Sequence, residues 1–277
     1  MKVSVLSMFR DSEDYLPETL KSLNALEDNS SCKMEYFFYE NDSRDNTASI
    51  LKKWLSDKKG KLLSQTLGKP KFSQSPAVER QLDMTHYRNE LLNLSKPLDS
   101  EYSIILDSDV HFDSDIIDRY LSMFKDGELS SVVMITPNVL QNIKCKMFDD
   151  SKNSYYDSFA LIDRFGNHGM TWSCNPFFNL EDRERWESNK AVYVNSAFGG
   201  CPIIKSEVLD KVRWSTDGGC EHWNFCRDVG GYGDIVVAPD VEVSVEISQD
   251  VLNSISESHV KSVVTHQHQK FDLLKNF

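Results

Sequence analysis

The chain has 277 residues, 40% of them hydrophobic and 27% charged, which is typical of a globular protein with one large domain, with or without an insertion. Its net charge of −12 argues against non-specific binding to nucleic acid or to an anionic membrane surface. No apolar run approaches the roughly 18–20 residues of a membrane span, and the N-terminus lacks the apolar core of a signal peptide. The six cysteines show no metal-binding spacing, so we expect free thiols and a cytoplasmic protein.

The first half of the sequence alternates strand-like and helix-like patterns. Strands are predicted where β-forming apolar residues run together, at 2–9, 33–40, 61–67, 102–107 and 130–137. Helices are predicted where apolar residues recur at the helical period, at 14–26, after the polar turn 41–47, at 78–94 and at 113–124. This order predicts βαβ units and an α/β fold with a mostly parallel sheet flanked by helices.

The pattern weakens between about residues 138 and 200, where aromatic and polar residues predict a loop-rich insertion on the ligand side of the sheet. Beyond it the sequence predicts a strand at 193–204, a helix at 205–212, a helix that starts near Glu221, and strands at 234–239 and 241–246. The loop 66–78 and the C-terminal tail are both candidates for a mobile lid, because of their loop-like composition.

Polar clusters follow three of the predicted strands, at the point where each strand ends. They are "FRDSED" at 9–14, "ENDSRD" at 40–45 and "DSD" at 107–109. Ligands of parallel α/β sheets bind beyond the carboxyl ends of the strands. We therefore expect the three clusters to border one crevice.

The motif "DSD" is the strongest candidate for a metal site. Asp107 and Asp109 follow a buried apolar strand, and in a strand-like conformation side chains two residues apart point to the same side. Two carboxylates on one side repel each other unless a cation lies between them, and Mg²⁺ or Mn²⁺ would also bridge to substrate phosphates. The alternative is that these acids only cap the next helix, a role that fits Asp113 and Asp115 better because they directly precede it.

Several segments together resemble glycosyltransferases of the GT-A fold. The segments are "SVLSMFRDSEDYLPETLKSL", "FYENDSRDNTASILKKWL", "HYRNELL", "SIILDSDV", "FGGCPIIKSEVL" and "CEHWNFCRDVGGYGDIVVAPD". Within that fold, "YENDSRDNT", "YYDSFALIDRFGN" and "CEHWNFCRDV" look most like the fungal capsule-associated mannosyltransferases and their viral, chlorovirus-type relatives. The resemblance covers roughly residues 3–245. It implies one GT-A domain over 1–277, with a nucleotide-sugar half at 1–137, an acceptor half at 138–250 and a tail at 251–277.

The resemblance also implies roles in donor binding. Glu40 corresponds to the strand-end acid that reads the base of the nucleotide, and Arg10 would line the base and ribose. Arg88 corresponds to an arginine that reaches the diphosphate, a ligand that suits a guanidinium fork. Asp107 and Ser108 would contact the donor, and Asp107 and Asp109 the metal. The alternatives are a turn acid for Glu40, a surface loop residue for Arg10 and a solvated helix face for Arg88.

The catalytic base is less clearly indicated. Where many inverting relatives carry Glu-Asp, this sequence has Glu221 and His222, and either side chain has the chemistry of a base. A retaining reaction requires no such base. Asp157 and Asp163 match acids of the mannosyltransferase group, which either bind acceptor hydroxyls or brace the insertion.

Some GT-A enzymes complete the metal shell with a late histidine, for which His266 is the candidate; the alternative is that it is an ordinary surface histidine. Four aromatic residues are candidates either for stacking on sugars or for core packing: Trp172, Phe177, Phe178 and Trp223.

The resemblance thus predicts transfer of a hexose or deoxyhexose from a UDP- or GDP-sugar, with Mn²⁺ or Mg²⁺, to a hydroxyl of a glycan or glycoprotein. A viral source would imply the host cytoplasm. A nucleotidyltransferase would need a glycine-rich phosphate loop after the first strand, and "SMFRDSED" has no glycine. An aspartyl-phosphate phosphatase would need its acid pair after the first strand. A non-catalytic carbohydrate- or nucleotide-binding protein on the same scaffold remains the alternative.

Overall fold

The computed structural model describes residues 1–72, 77–248, 253 and 255–274. Within these ranges the strands are β1 Lys2–Phe9, β2 Lys33–Asn41, β3 Gly60–Gln65, β4 Tyr102–Asp107, β5 Val110–Phe112, β6 Val132–Lys144, β7 Asn153–Tyr155, β8 Ile162–Asp163, β9 Val192–Ser196, β10 Ile203–Lys205 and β11 Asp234–Val245. The α-helices are α1 Leu16–Asn29, α2 Thr47–Trp54, α3 Val78–Ser95, α4 Ile116–Phe124, α5 Leu180–Glu187, α6 Ser206–Leu209, α7 Glu221–Gly230 and α8 Glu257–Leu274.

The strands form one sheet in the order β3-β2-β1-β4-β10-β6-β11-β9-β8, with β5 on β11 and β7 on β6. The first four strands of this path are parallel to each other, and β6 and β11 are also a parallel pair. Along the path only β10 and β9 run against their neighbours. The prediction of a mostly parallel central sheet flanked by helices is therefore confirmed.

The alternation of side chains along β2 decides which helix covers which face. Tyr36 and Phe38 pack against Trp54 of α2 on one face, while Tyr39 stacks on Tyr87 of α3 on the other. β2 is buried over most of its length because both faces are covered by helices.

Two predicted elements differ from the observed ones. The stretch 193–204 was expected to be one strand, but β9 and β10 are separated by a turn in which Gly199 and Gly200 have φ of +65° and +67°. Only glycine adopts this left-handed conformation without strain, so the pair interrupts the strand. The stretch 234–246 was expected to be two strands, but β11 is continuous, with an irregularity in its pairing to β6 between Ala238 and Glu242.

The insertion and the tail also carry more structure than expected. The predicted boundary at residue 137 falls inside β6, and the insertion contains α5. The described part of the tail is α8, which packs through Phe271 on a small apolar cluster with Cys145, Met147, Met170 and Phe178. Of the two predicted lid segments, 66–78 and 251–277, residues 73–76, 251–252, 254 and 275–277 lie outside the described residues.

The six cysteines are free thiols. No helix in the described part of the chain is long and apolar enough to cross a membrane.

Candidate functional site

The two aspartates of the "DSD" motif lie at the carboxyl end of β4, in the middle of the sheet. β4 ends at Asp107, whose side chain is 34% exposed, and Asp109 is exposed in the turn that precedes β5. Asp109 accepts no side-chain hydrogen bond from another described residue, and its pKa is raised by partial desolvation and then by the Asp107 carboxylate. Two neighbouring carboxylates of which one lacks a partner form a donor set that suits a hard divalent cation.

The Gly199–Gly200 turn forms the floor beside these aspartates. The backbone N–H of Asp107 donates to the Gly200 carbonyl over 2.7 Å. A Cβ atom on Gly200 would lie 2.6 Å from Cγ2 of Val110 and 3.4 Å from Oδ2 of Asp107. A side chain larger than hydrogen at this position would therefore push into the aspartate turn.

A cavity of about 310 Å³ opens at the carboxyl ends of β1, β2 and β4. Its lining includes the predicted donor-site residues Arg10, Arg88, Asp107, Ser108 and Asp109. The expectation that the polar ends of these strands border one crevice is met for the first and third clusters by Arg10 and the aspartates, and for the second by Asn41.

One wall of this first cavity is the loop that follows β3. Arg10 donates to the carbonyls of Lys69 and Pro70 over 2.6 and 3.1 Å. The Asp42 carboxylate accepts from the backbone N–H groups of Leu67, Gly68 and Lys69 over 2.7 to 3.2 Å. Burial alone would raise the pKa of Asp42, but these donors hold it below its usual range. The described part of the predicted lid is thus tied to the ends of β1 and β2.

Glu40 does not line the cavity. Its carboxylate accepts from the Ser43 backbone N–H over 2.9 Å and from the Ser64 hydroxyl. The side-chain alternation of β2 directs Glu40 to the face of Phe38 and Asn41 to the face of Tyr39, which lies toward α3 and the cavity. Asn41 was not among the predicted site residues; the alternation of β2 separates it from Glu40, but the sequence does not show which of the two faces lies toward α3.

Arg88 lies at the centre of a buried polar cluster. The side chain is 4% exposed; Nη2 lies 3.2 Å from Oδ1 of Asp107, and Nε lies 3.6 Å from Oε1 of Glu221. The guanidinium also lies 4.8 Å from the ring centroid of Phe198, a cation–π distance. Its charge is therefore already engaged by protein groups, and the role of reaching a diphosphate stays a prediction.

The two base candidates belong to the same cluster. Glu221 and His222 open α7, and Nε2 of His222 lies 3.5 Å from both Nη2 of Arg88 and Oε1 of Glu221. The ring of His222 stacks on Phe198 at 3.8 Å, and its Nδ1 has no hydrogen-bond partner among the described residues. Burial lowers the pKa of His222, and the charges of Arg88 and Arg80 add to this effect. The imidazole is therefore neutral.

A second cavity, of about 410 Å³, adjoins the first. Glu221, His222, Asp157 and the exposed Phe159 line it, and both cavities share five residues: Arg80, Arg88, Asp107, Tyr156 and Gly200. The Asp157 carboxylate accepts from the Gly199 N–H over 2.8 Å. Burial, opposed by this N–H and reinforced by the charges of Asp107 and Glu221, raises the pKa of Asp157 to about 7.

Asp163 has a different environment. It is buried, and its carboxylate accepts from the N–H groups of Phe165 and Asn167 and from the Asn167 amide over 2.8 to 2.9 Å. Of the two predictions for the acid pair, bracing the insertion fits Asp163, whereas Asp157 faces the second cavity.

His266 is exposed on α8. Among the described residues no group of three or more His, Cys, Asp and Glu side chains is arranged to hold a metal ion, so His266 does not join Asp107 and Asp109 in this structure. Its ligation stays a prediction.

The four aromatic candidates are divided between core and surface. Phe177 and Phe178 are core residues, and Trp172 lines a separate cavity beside α8. Trp223 packs on Phe159 at the edge of the second cavity.

The sequence reading also missed most of the α3 face that lines the first cavity. This face consists of Arg80, Asp83, Met84, Tyr87 and Arg88. The spacing i, i+3, i+4, i+7 and i+8 is that of one helical face, and this spacing is the signal that could have identified it from Arg88 alone.

The sequence matches no protein-family model, and no curated protein is significantly similar to it. Solved structures are similar in fold. Residues 1–349 of TarS from S. aureus match with 16% identity and a TM-score of 0.53, over 98% of this chain and 71% of that one. The complex of the same protein with UDP-GlcNAc matches with 15% identity and a TM-score of 0.52, over 100% and 72% of the two chains.

The mannosyltransferase PcManGT from Pyrobaculum calidifontis, in complex with GDP-Man and Mn²⁺, matches with 13% identity and a TM-score of 0.55, over 98% of this chain and 69% of that one. These similarities confirm the predicted GT-A fold. The finer resemblance to the fungal and viral group stays a prediction.

Proposed function

We propose that the chain is a metal-dependent glycosyltransferase that moves a hexose or deoxyhexose from a UDP- or GDP-sugar to a hydroxyl of a glycan or glycoprotein. The observation that carries this proposal is the junction of two cavities at Asp107. Group transfer requires two substrates to meet at one point, and adjoining cavities provide such a point. The similar folds of TarS with UDP-GlcNAc and of PcManGT with GDP-Man and Mn²⁺ support the assignment.

In this proposal the nucleotide occupies the first cavity. Asn41 offers both a donor and an acceptor to the edge of a base, and Phe9 and Arg10 border the same space. An amide can pair with uracil or with guanine, so both UDP- and GDP-sugars fit this reading.

Asp107 and Asp109 are the residues that would hold Mn²⁺ or Mg²⁺. The fit rests on the carboxylate of Asp109, which lies beside Asp107 and accepts no side-chain hydrogen bond from another described residue, since both cations prefer carboxylate oxygens. When bound, such a cation offsets the charge of the diphosphate as the nucleotide departs. A metal also explains how an acidic protein of net charge −12 accepts an anionic donor.

The acceptor occupies the second cavity in this proposal. The bond between the sugar C1 and the diphosphate oxygen breaks, the bond between C1 and the acceptor oxygen forms, and the hydroxyl proton is released. In an inverting reaction Glu221 or His222 accepts that proton, and Arg88 holds both side chains in place. The two remain alternatives. Glu221 is a carboxylate that forms an ion pair with Arg88, and His222 is a neutral imidazole; either group can accept a proton. A retaining reaction would use neither of them as a base.

The test is calorimetric binding of UDP, GDP, UDP-glucose, UDP-galactose and GDP-mannose, each with and without Mn²⁺. We expect Mn²⁺ to raise the affinity of the wild type for one nucleotide at least about tenfold. Asp109→Asn should lose this enhancement because it removes a ligand charge. Asp113→Asn is the matched control: Asp113 is exposed just beyond β5 and lines neither cavity.

Absence of binding by all five compounds in the presence of Mn²⁺ would contradict the proposal. Slow hydrolysis of the bound donor in the absence of acceptor separates an enzyme from a non-catalytic binding protein. A protein that binds a donor but never hydrolyses or transfers the sugar would support the binding alternative.

A further inference from the structure

Among the described residues, four cationic side chains border the first cavity, and three of them have partners within this part of the chain. Arg10 donates to two carbonyls of the loop after β3, and Lys71 lies 3.4 Å from Oδ2 of Asp11. Arg88 is engaged by Asp107 and Glu221. Arg80 forms no hydrogen bond or ion pair with another residue that the structure describes. Of the four cations, it is therefore the one that no other described residue engages.

The position of Arg80 supports the same conclusion as its lack of a described partner. It lies in the first turn of α3, two turns before Arg88, on the helix face that lines the first cavity. It also lines the second cavity, together with Asp107. Arg80 therefore lies where the two cavities meet.

The charges where the two cavities meet indicate which kind of ligand Arg80 would bind. A divalent cation held by Asp107 and Asp109 is balanced by those two carboxylates. Arg88 is balanced by Glu221, and the cavity residue Asp83 by Lys69 at 3.0 Å. A donor diphosphate in this space would bring negative charge that these pairs leave uncompensated. A planar guanidinium fork matches phosphate oxygens in bidentate geometry.

We propose that Arg80, rather than the buried Arg88, is the side chain that binds the diphosphate of the donor. This inference rests on the proposed function, because it assumes a nucleoside diphosphate in the first cavity. Arg88 is then a positioning residue, which fixes Asp107, Glu221 and His222. The sequence resemblance had assigned the diphosphate to Arg88.

The experiment compares wild type, Arg80→Gln and Arg80→Lys, with Arg227→Gln as the matched control. Arg227 is an exposed arginine, 68% accessible, whose only described ion-pair partner is the adjacent Asp228. Calorimetry measures UDP and GDP with Mn²⁺, and uridine and guanosine as ligands without phosphates. Thermal melting of each variant without ligand reports on folding.

We expect Arg80→Gln to weaken binding of the nucleoside diphosphate about 10- to 100-fold, the effect of losing charge-assisted hydrogen bonds. Binding of the nucleoside should stay within about twofold, and the melting temperature should not change, because Arg80 has no described protein partner. Arg80→Lys should retain part of the affinity, since it keeps the charge without the fork. Arg227→Gln should bind like the wild type.

Three results would overturn the inference, and they are distinguishable. Unchanged diphosphate affinity in Arg80→Gln, with normal binding by the wild type, refutes the role of Arg80 alone. Equal losses for nucleoside and nucleoside diphosphate point to a general disturbance of the cavity and also refute it. If the wild type binds none of these nucleotides, the proposed function is refuted, and the inference is refuted as well because it depends on that function.

Discussion

Replacement of Arg88 by methionine tests whether the buried cluster is held together by charge. Methionine keeps most of the apolar volume over Phe198 but removes the charge that faces Glu221, whose side chain is only 5% exposed. His222, which also lies beside that carboxylate, has a lowered pKa and stays neutral, and the other described contact is the uncharged Cys220 thiol. Leaving one partner of a buried ion pair unpaired costs about 3–5 kcal/mol. For a chain of this size we expect the melting temperature to fall by about 6–20 °C.

The assay is urea unfolding of the single variants Arg88→Met and Glu221→Gln and of the double variant. In the double variant no charge of this pair is left uncompensated, so its loss of stability should be smaller than the sum of the two single losses by about 1–3 kcal/mol. Arg227→Met, at an exposed position, should change the free energy of unfolding by no more than about 0.5 kcal/mol. Single losses that add to within about 0.5 kcal/mol would refute the reasoning, because independent sites behave in that way.

Two further predictions concern the floor of the crevice and Asp157. Gly200→Ala should lower the free energy of unfolding by about 1–2 kcal/mol or more and weaken Mn²⁺-dependent nucleotide binding, because Gly200 has φ of +67° and a Cβ would meet Val110 at 2.6 Å. Gly230→Ala, where a Cβ would meet nothing within 4 Å, is the control, and equal effects of the two would contradict the prediction. Because the pKa of Asp157 is raised to about 7, the native state binds more protons than the unfolded state between about pH 4 and 7, and this group's contribution to stability falls as the pH rises through that window. In metal-free protein the change in melting temperature caused by Asp157→Asn, relative to wild type, should therefore be more favourable at pH 8 than at pH 5. If this change is the same at both pH values, the carboxylate is not desolvated.

Some of the candidate site residues could be predicted from short sequence patterns, and others could not. The "DSD" motif was identified at the end of a buried strand because both the apolar run and the spacing of the aspartates are local properties. The role of Glu40 in reading the base stays a prediction, but the residue of this strand end that lines the cavity is Asn41. The sequence does not show which face of β2 packs on α3. The two residues are adjacent, and the packing of Tyr39 on Tyr87 decides which one enters the crevice.

The turn between β9 and β10 could be predicted only in part from the sequence. Its glycines are visible in the sequence, yet "YVNSAFGGCPII" reads as one apolar strand until the paired glycines are given a left-handed conformation. What excludes a side chain at Gly200 is its close approach to Val110 and Asp107, residues about 90 positions earlier in the chain.

Apart from the short strand β5, the sequence alone determined the order of strands and helices in the first half, the parallel arrangement and the edge of the sheet at which polar residues collect. These features follow from hydrophobic periodicity and composition within short windows of the sequence. Only the tertiary structure decided that Arg88 is buried against Glu221, that Arg80 is left without a described partner and that α8 packs on the insertion. Such contacts join segments far apart in sequence, and their geometry depends on how whole elements pack, which no local pattern encodes.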